Sequence, residues 1–169
     1  MAYSTANMLG ANLAQTFTPS TDLYPYVGVD IPFAVGQTTT GTDGSEWVFV
    51  KSDEVISQYD WVGIDENFDA APLTKAMADD GWQIGVAQVA VADETYAWVC
   101  IKGANVSGNV AASTAADSAL YTSTVAGRLK YTGSLTAQTK IDGVVAVTAK
   151  NTVAGATEVL LTWPRSSTF

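Results

Sequence analysis

Chemistry in this chain could rest on one thiol or on carboxylates. Cys100 is the sole cysteine, in a stretch from Glu94 to Gly103 that reads ETYAWVCIKG, and the chain contains no histidine. A reactive thiol needs a neighbour that lowers its pKa, such as an imidazolium, a cationic side chain or a helix N-terminus. Lys102, two positions on, is the one local candidate. Tyr96, Trp98, Cys100 and Lys102 alternate with Ala97, Val99 and Ile101, the period-two signature of a strand. Cys100 therefore reads as a small buried hydrophobe. Without histidine, no Ser-His-Asp or Cys-His arrangement can exist within the chain. The commonest zinc sites fail for the same reason. The GTDG at Gly41 to Gly44 lacks the Lys-Ser/Thr of a phosphate loop, and no G-x-G-x-x-G follows a strand. Carboxylates remain, with Asp53, Glu54, Asp60, Asp65, Glu66, Asp69, Asp79 and Asp80 crowded into one stretch. Paired carboxylates hydrolyse glycosides, and oxygen clusters hold calcium. Yet DENFD at Asp65 to Asp69 lacks the alternating ligands and central glycine of an EF-hand loop. A chain of this size has little material for a deep sugar cleft. The stretch reads as an acidic solvated rim or a face toward a basic partner. The expectation is a protein that is not an enzyme and carries no cofactor and no metal.

The elements that must position these residues follow from composition and pattern. At 169 residues and 47% hydrophobic, the chain can bury one sizeable core. Its net charge of −9 disfavours nucleic acid and anionic membrane surfaces as partners. Met1 to Phe17 shows no basic region followed by an apolar run, and no segment has the apolar length to span a bilayer. A single cysteine makes no internal disulfide. Period-two segments bounded by turn residues predict strands at 46–51, 61–65, 83–91, 96–101, 119–122, 128–131, 143–148 and 158–163. A short helix is expected within 69–81, with Asp69 as N-cap, Pro72 in the first turn and Gly81 as the stop. The fold class is all-β: a compact β-barrel or sandwich, with jelly-roll or tulip-like arrangements as alternatives, and an extended N-terminal arm. Residues 1–45 form that arm and 46–169 the β-domain. Pro19, Pro25 and Pro32 keep the arm out of central strands. It either docks on something else or makes a first layer of the domain. In the docking case Tyr3, Phe17, Leu23, Tyr24, Tyr26, Ile31 and Phe33 are apolar groups without a local core, covered by a partner. A chain beginning near Thr42 would then stay folded.

Two further patterns stand out. Ile84 to Val89 can be laid over Asp142 to Val147, and each then turns back into a strand, Trp98 to Ile101 and Glu158 to Leu161. Trp61-Val62 and Leu120-Tyr121 lie at comparable distances upstream. Two hairpin-bearing halves suit a barrel with pseudo-twofold character, with Gly85 and Gly143 at matching bends or bulges. Of Trp47, Trp61, Trp82, Trp98 and Trp163, most are expected to anchor the core, since each buries a large area. A carbohydrate-stacking platform is the alternative use.

Residues 57–103, SQYDWVGIDENFDAAPLTKAMADDGWQIGVAQVAVADETYAWVCIKG, resemble a family of small bacteriophage virion proteins of the head decoration, or capsid-stabilising cement, type. The resemblance is carried by Trp61 to Asp65, Ile84 to Ala87, Asp93-Glu94 and Trp98 to Gly103. It extends roughly from Glu46 to Trp163 and leaves the arm unaccounted for. It implies a structural protein on the capsid exterior of a virion assembled in the host cytoplasm. The implied partners are the major capsid protein and copies of itself, as a homo-oligomer such as a trimer. A tail or fibre component, and a carbohydrate-binding module or adhesin, are the alternatives.

Overall fold

The computed structural model describes residues 11–19, 31–131 and 138–167. Among the described residues, ten strands and one short helix succeed one another as β1 (Thr38–Thr40), β2 (Glu46–Ser52), β3 (Trp61–Ile64), β4 (Asp69–Pro72), α1 (Lys75–Asp79), β5 (Gln83–Ala87), β6 (Tyr96–Val110), β7 (Ser118–Thr122), β8 (Leu129–Lys130), β9 (Lys140–Ala146) and β10 (Gly155–Ser167). The chain is all-β, as its alternation predicts.

The strand pairings close two rings. In the first, β2 pairs with β4, β4 with β3, β3 with β5, β5 with β6, and β6 returns to β2. In the second, β6 pairs with β10, β10 with β9, β9 with β7, β7 with β8, and β8 returns to β6. Strand β6 belongs to both, as the last strand of ring one and the first of ring two. Each ring has one parallel contact, β2 with β4 and β6 with β8, and the rest are antiparallel.

The rings are tandem copies of one plan. Outside the strands, Ile56 bridges Val91 in ring one and Thr114 bridges Lys150 in ring two. Tyr59 (φ 69) and Asp117 (φ 53) take the left-handed conformation at the same step. Each donates its N–H, to the carbonyls of Ala87 and Ala146, at 2.7 Å. Two hairpin-bearing halves are thus present, as tandem copies through a shared strand, but the sequence overlay is out of register: Val86 and Ala87 answer to Val145 and Ala146, and Gly85 to Ile141. Gly143 (φ 77) does sit at a bulge, where the β9–β10 register shifts. Gly85 does not: a Cβ there would meet Val99 Cγ1 at 2.4 Å, so close packing requires the glycine.

Side-chain alternation fills two cores. Val48, Val50, Val62, Ile64, Ala87, Ala97, Val99 and Ile101 point into ring one and form a cluster of small aliphatic groups. Their strand neighbours Trp47, Phe49, Trp61, Ile84, Val86, Trp98 and Cys100 point outward, yet are buried in a second cluster. That cluster continues into ring two through Val106, Leu120, Ile141, Val144, Val159 and Leu161. Ring one is therefore apolar on both faces, which explains the near-continuous apolar runs of β2, β3 and β6. Trp61 crosses the seam: its Nε1 donates to the Asn109 carbonyl at 2.9 Å. At Gly108 a Cβ would lie 2.7 Å from Trp61 Cζ2.

Three sequence expectations are corrected. Asp69 does not cap a helix, because Asp69–Pro72 is strand β4. Its N–H instead donates to Asp65 Oδ1 at 2.8 Å, closing the turn before the strand. The helix starts later, with Thr74 Oγ1 accepting from Met77 N, and ends before Gly81 (φ 81) as expected. The domain boundary at residue 45 falls inside a hairpin, since β1 pairs with β2. The third correction concerns the arm residues. Phe17 is only 8% exposed and exchanges backbone hydrogen bonds with Tyr96 at 2.8 Å in both directions. Phe33 stacks edgewise on Trp98 and Phe49, with centroids 5.1 and 5.3 Å away, and Ile31 packs on the same cluster. These three have a local core, the outer face of β2 and β6. Tyr3, Leu23, Tyr24 and Tyr26 lie outside the described residues. A chain beginning near Thr42 would expose Phe49 and Trp98, and so loses the basis for staying folded.

Gly108→Ala is expected to lower stability by about 1 to 3 kcal/mol, the usual range for overpacking a core, because Trp61 is closed in on both sides. Urea denaturation of the two proteins, with an unchanged m-value, checks it.

Candidate functional site: an anchored tryptophan at the seam

Strand β10 carries the one tryptophan that is largely exposed among the described residues. Trp163 is 54% exposed, whereas Trp47, Trp61 and Trp98 are buried as core anchors. Its backbone has φ 50, a left-handed conformation costly for a bulky side chain, about 1 to 3 kcal/mol. A register shift between Leu161 and Arg165 places it on a bulge. Opposite, Gly143 makes the room: a Cβ there would lie 2.6 Å from the Thr162 carbonyl.

The indole is held on two sides. Its Nε1 donates to Glu46 Oε2 at 2.9 Å, and Lys102 Nζ sits 4.3 Å from the ring centroid. Lys102 also donates to Glu46 Oε1 at 2.8 Å. The three side chains come from β2, β6 and β10, so the cluster exists only where the rings meet. The hydrogen bond from Lys102, opposed by partial burial and reinforced by that from Trp163, holds the Glu46 carboxyl below its usual range. A rigid, exposed aromatic with satisfied polar edges is the form that contact anchors take at protein interfaces.

Cys100 is buried, and burial pushes its thiol up to about 12. Lys102 does not activate it, since the ammonium points to Glu46 and Trp163 while the thiol donates to the Lys102 carbonyl at 3.3 Å. The carboxylates are dispersed. Lys51 pairs with Glu94 at 2.7 Å and reaches Asp53 at 3.6 Å. Asp60 accepts from Asn109 Nδ2 at 2.8 Å, and Asp79 pairs with Lys75 and Thr139. Asp69 is pushed up by burial first, then by Asp53 and Asp65. Among the described residues no group of three acidic or cysteine side chains is placed to hold a metal ion. An open depression of about 400 Å³ is lined by Phe68, Trp82, Gln83 and the acids Asp65, Glu66 and Asp80.

Of the seven arm residues expected to touch a partner, Phe17 is buried in the chain's own core and Ile31 and Phe33 pack against it partly buried. Trp163 was not separable from the core tryptophans by sequence; the adjacent Pro164, foreign to a regular central strand, was the available signal. Comparison with protein-family models, with curated proteins and with solved structures gives no match in any of the three.

Two outcomes are expected. Because the folded Glu46 pKa lies below its unfolded value, near 4.3 for a free glutamate, the stability it contributes is present above that value and lost as pH falls through the folded pKa. Glu46→Gln should thus melt lower than the wild type at pH 7, and the gap should close as both are acidified. Thermal melts at matched pH values measure it. Cys100 should resist a disulfide reagent at pH 8 in the native protein and react fully in denaturant, and Cys100→Ser should cost about 1 to 2 kcal/mol.

Proposed function

We propose that this chain is a structural virion protein that binds the outside of a phage capsid and stabilises it, in the manner of a decoration or cement protein. The resemblance of residues 57–103 to that family motivates the reading. The observation that carries it is Trp163, an exposed indole fixed by Glu46 and Lys102 at the seam of the rings. Such an anchor suits a contact with another protein surface better than turnover of a small molecule. Both rings have interiors filled by their own side chains, so the outer surface is what the protein has to offer. In this reading the partner is the major capsid protein, and the protein is placed on the virion exterior. Of the N-terminal contact residues expected from sequence, Phe17 is buried in the core and Ile31 and Phe33 pack against it partly buried, and Trp163 is the contact that the fold adds.

A glycan-binding module is the second reading, favoured by Trp82 beside Asp65, Glu66 and Asp80 in the open depression. A ring over which a sugar can stack, next to carboxylate acceptors for its hydroxyls, is the recurrent form of such sites.

Re-addition to particles stripped of the native protein tests the first reading. The wild type should return to full occupancy in electron micrographs, and Trp163→Ala should need about thirtyfold more protein or beyond, as for a hot-spot residue of about 2 kcal/mol or more. Failure of the wild type to bind any particle defeats the proposal. Glycan-array binding abolished by Trp82→Ala in a folded protein would put the second reading in its place.

A further inference from the structure

The tandem plan of the two rings permits a comparison position by position. In ring one, Trp61 faces Val86 across β3 and β5, and Val86 faces Cys100 across β5 and β6. These three make a cross-strand row on the outer face. In ring two, Ala119 faces Val145 across β7 and β9, and Val145 faces Leu160 across β9 and β10. The rows correspond residue for residue, at offsets of 58 (119 − 61), 59 (145 − 86) and 60 (160 − 100).

Their environments differ. Trp61, Val86 and Cys100 are each 0% exposed, because ring two covers them. Gly108 of β6 lies against the Trp61 ring, and all three belong to the cluster that runs into the ring-two interior. In ring two the same row is open to solvent, with Val145 at 37% and Leu160 at 39%, and Val147 on the same face at 40%. Of the charges nearby, Lys140 and Asp142 of β9 pair with each other at 2.6 Å, while Glu158 shares the outward side of β10 with Leu160. The row that ring two covers on ring one is thus open to solvent on ring two itself.

We infer that the outer face of β7, β9 and β10, centred on the row Ala119, Val145 and Leu160, is a self-association surface whose occupant is a second copy of this chain. The occupant follows from the established packing: the equivalent row is buried by a ring of this same fold, so a ring of this fold is the surface chemistry that matches it. A two-fold arrangement closes at a dimer, and a head-to-tail one continues the internal succession of rings into a longer assembly. The inference does not depend on the virion reading. Because each chain carries a net charge of −9, added salt should strengthen the association by screening the mutual repulsion.

Sedimentation equilibrium of the full chain over a wide concentration range tests it. The wild type should rise above the mass of the 17.7 kDa chain as concentration increases. Leu160→Lys should weaken association at least tenfold, or about 1.4 kcal/mol, with an unchanged melting temperature because the site is exposed. Val153→Lys, at an exposed valine outside the row, is the control and should associate like the wild type. A wild type that stays monomeric throughout, a Leu160→Lys variant that associates as well as the wild type, or a control weakened as much as Leu160→Lys would each overturn the inference.

Discussion

The structure hangs on strand β6, which has to close two rings with one backbone. A strand has two edges, and each can satisfy only one neighbour at a given residue. Strand β6 meets the demand by length: β2 and β5 take its first half, and β10 and β8 its second. The change of partners needs a local break, and the chain supplies it around Gly103 and Asn105. A Cβ at Gly103 would lie 2.8 Å from Val106, and Asn105 has φ 60. Next to this break Lys102 is aimed at Glu46 and Trp163. The anchored indole is a by-product of the same hand-over that joins the rings.

Because ring one is apolar on both faces, everything next to it is recruited as cover. Ring two covers the row on β3, β5 and β6, and residues 11–19 and 31–37 cover Phe49 and Trp98 on the other side. The interior of ring two is more polar. Buried threonines, Thr114, Thr122 and Thr157, stand inside it where Ile56, Ile64 and Ala97 stand in ring one. Their hydroxyls must be satisfied within the fold, as Thr157 Oγ1 is by the Thr148 carbonyl at 2.8 Å. The N-terminal segment is thus part of the architecture because aromatic residues on β2 and β6 would otherwise face water.

Much of this was legible in the sequence, and the failures have physical causes. Alternation located β2, β3, β5, β7 and the first half of β6, where side-chain parity separates the two cores. It pointed to two similar halves but laid Ile84 to Val89 over Asp142 to Val147 out of register, because the recurring Gly-Val pairs hide the residues bulged out between Ile141 and Val145. It missed β4, because Asp-Ala-Ala-Pro has weak strand propensity and reads as a helix start. It ended β6 at Ile101 and β10 at Trp163, because Gly103 and Pro164 interrupt the pattern while the backbone bulges and continues. Phe17 and Phe33 were recognisably apolar, yet sequence distance hid that Phe49 and Trp98 would meet them. Trp163 was visible as a residue and invisible as a site, since its exposure depends on contacts from Glu46 and Lys102, far away in the chain.

The sharing of β6 also sets an order of events when the protein is made. Ring one can close as soon as β6 has left the ribosome, whereas ring two waits for β10, which emerges after the other described strands. Between those moments Trp61, Val86 and Cys100 have no cover, and the nascent chain carries a sticky aromatic surface. The faster the final strand arrives, the shorter that exposure, so slow translation of the C-terminal third is the step at which this fold is most open to misassembly and to capture by chaperones.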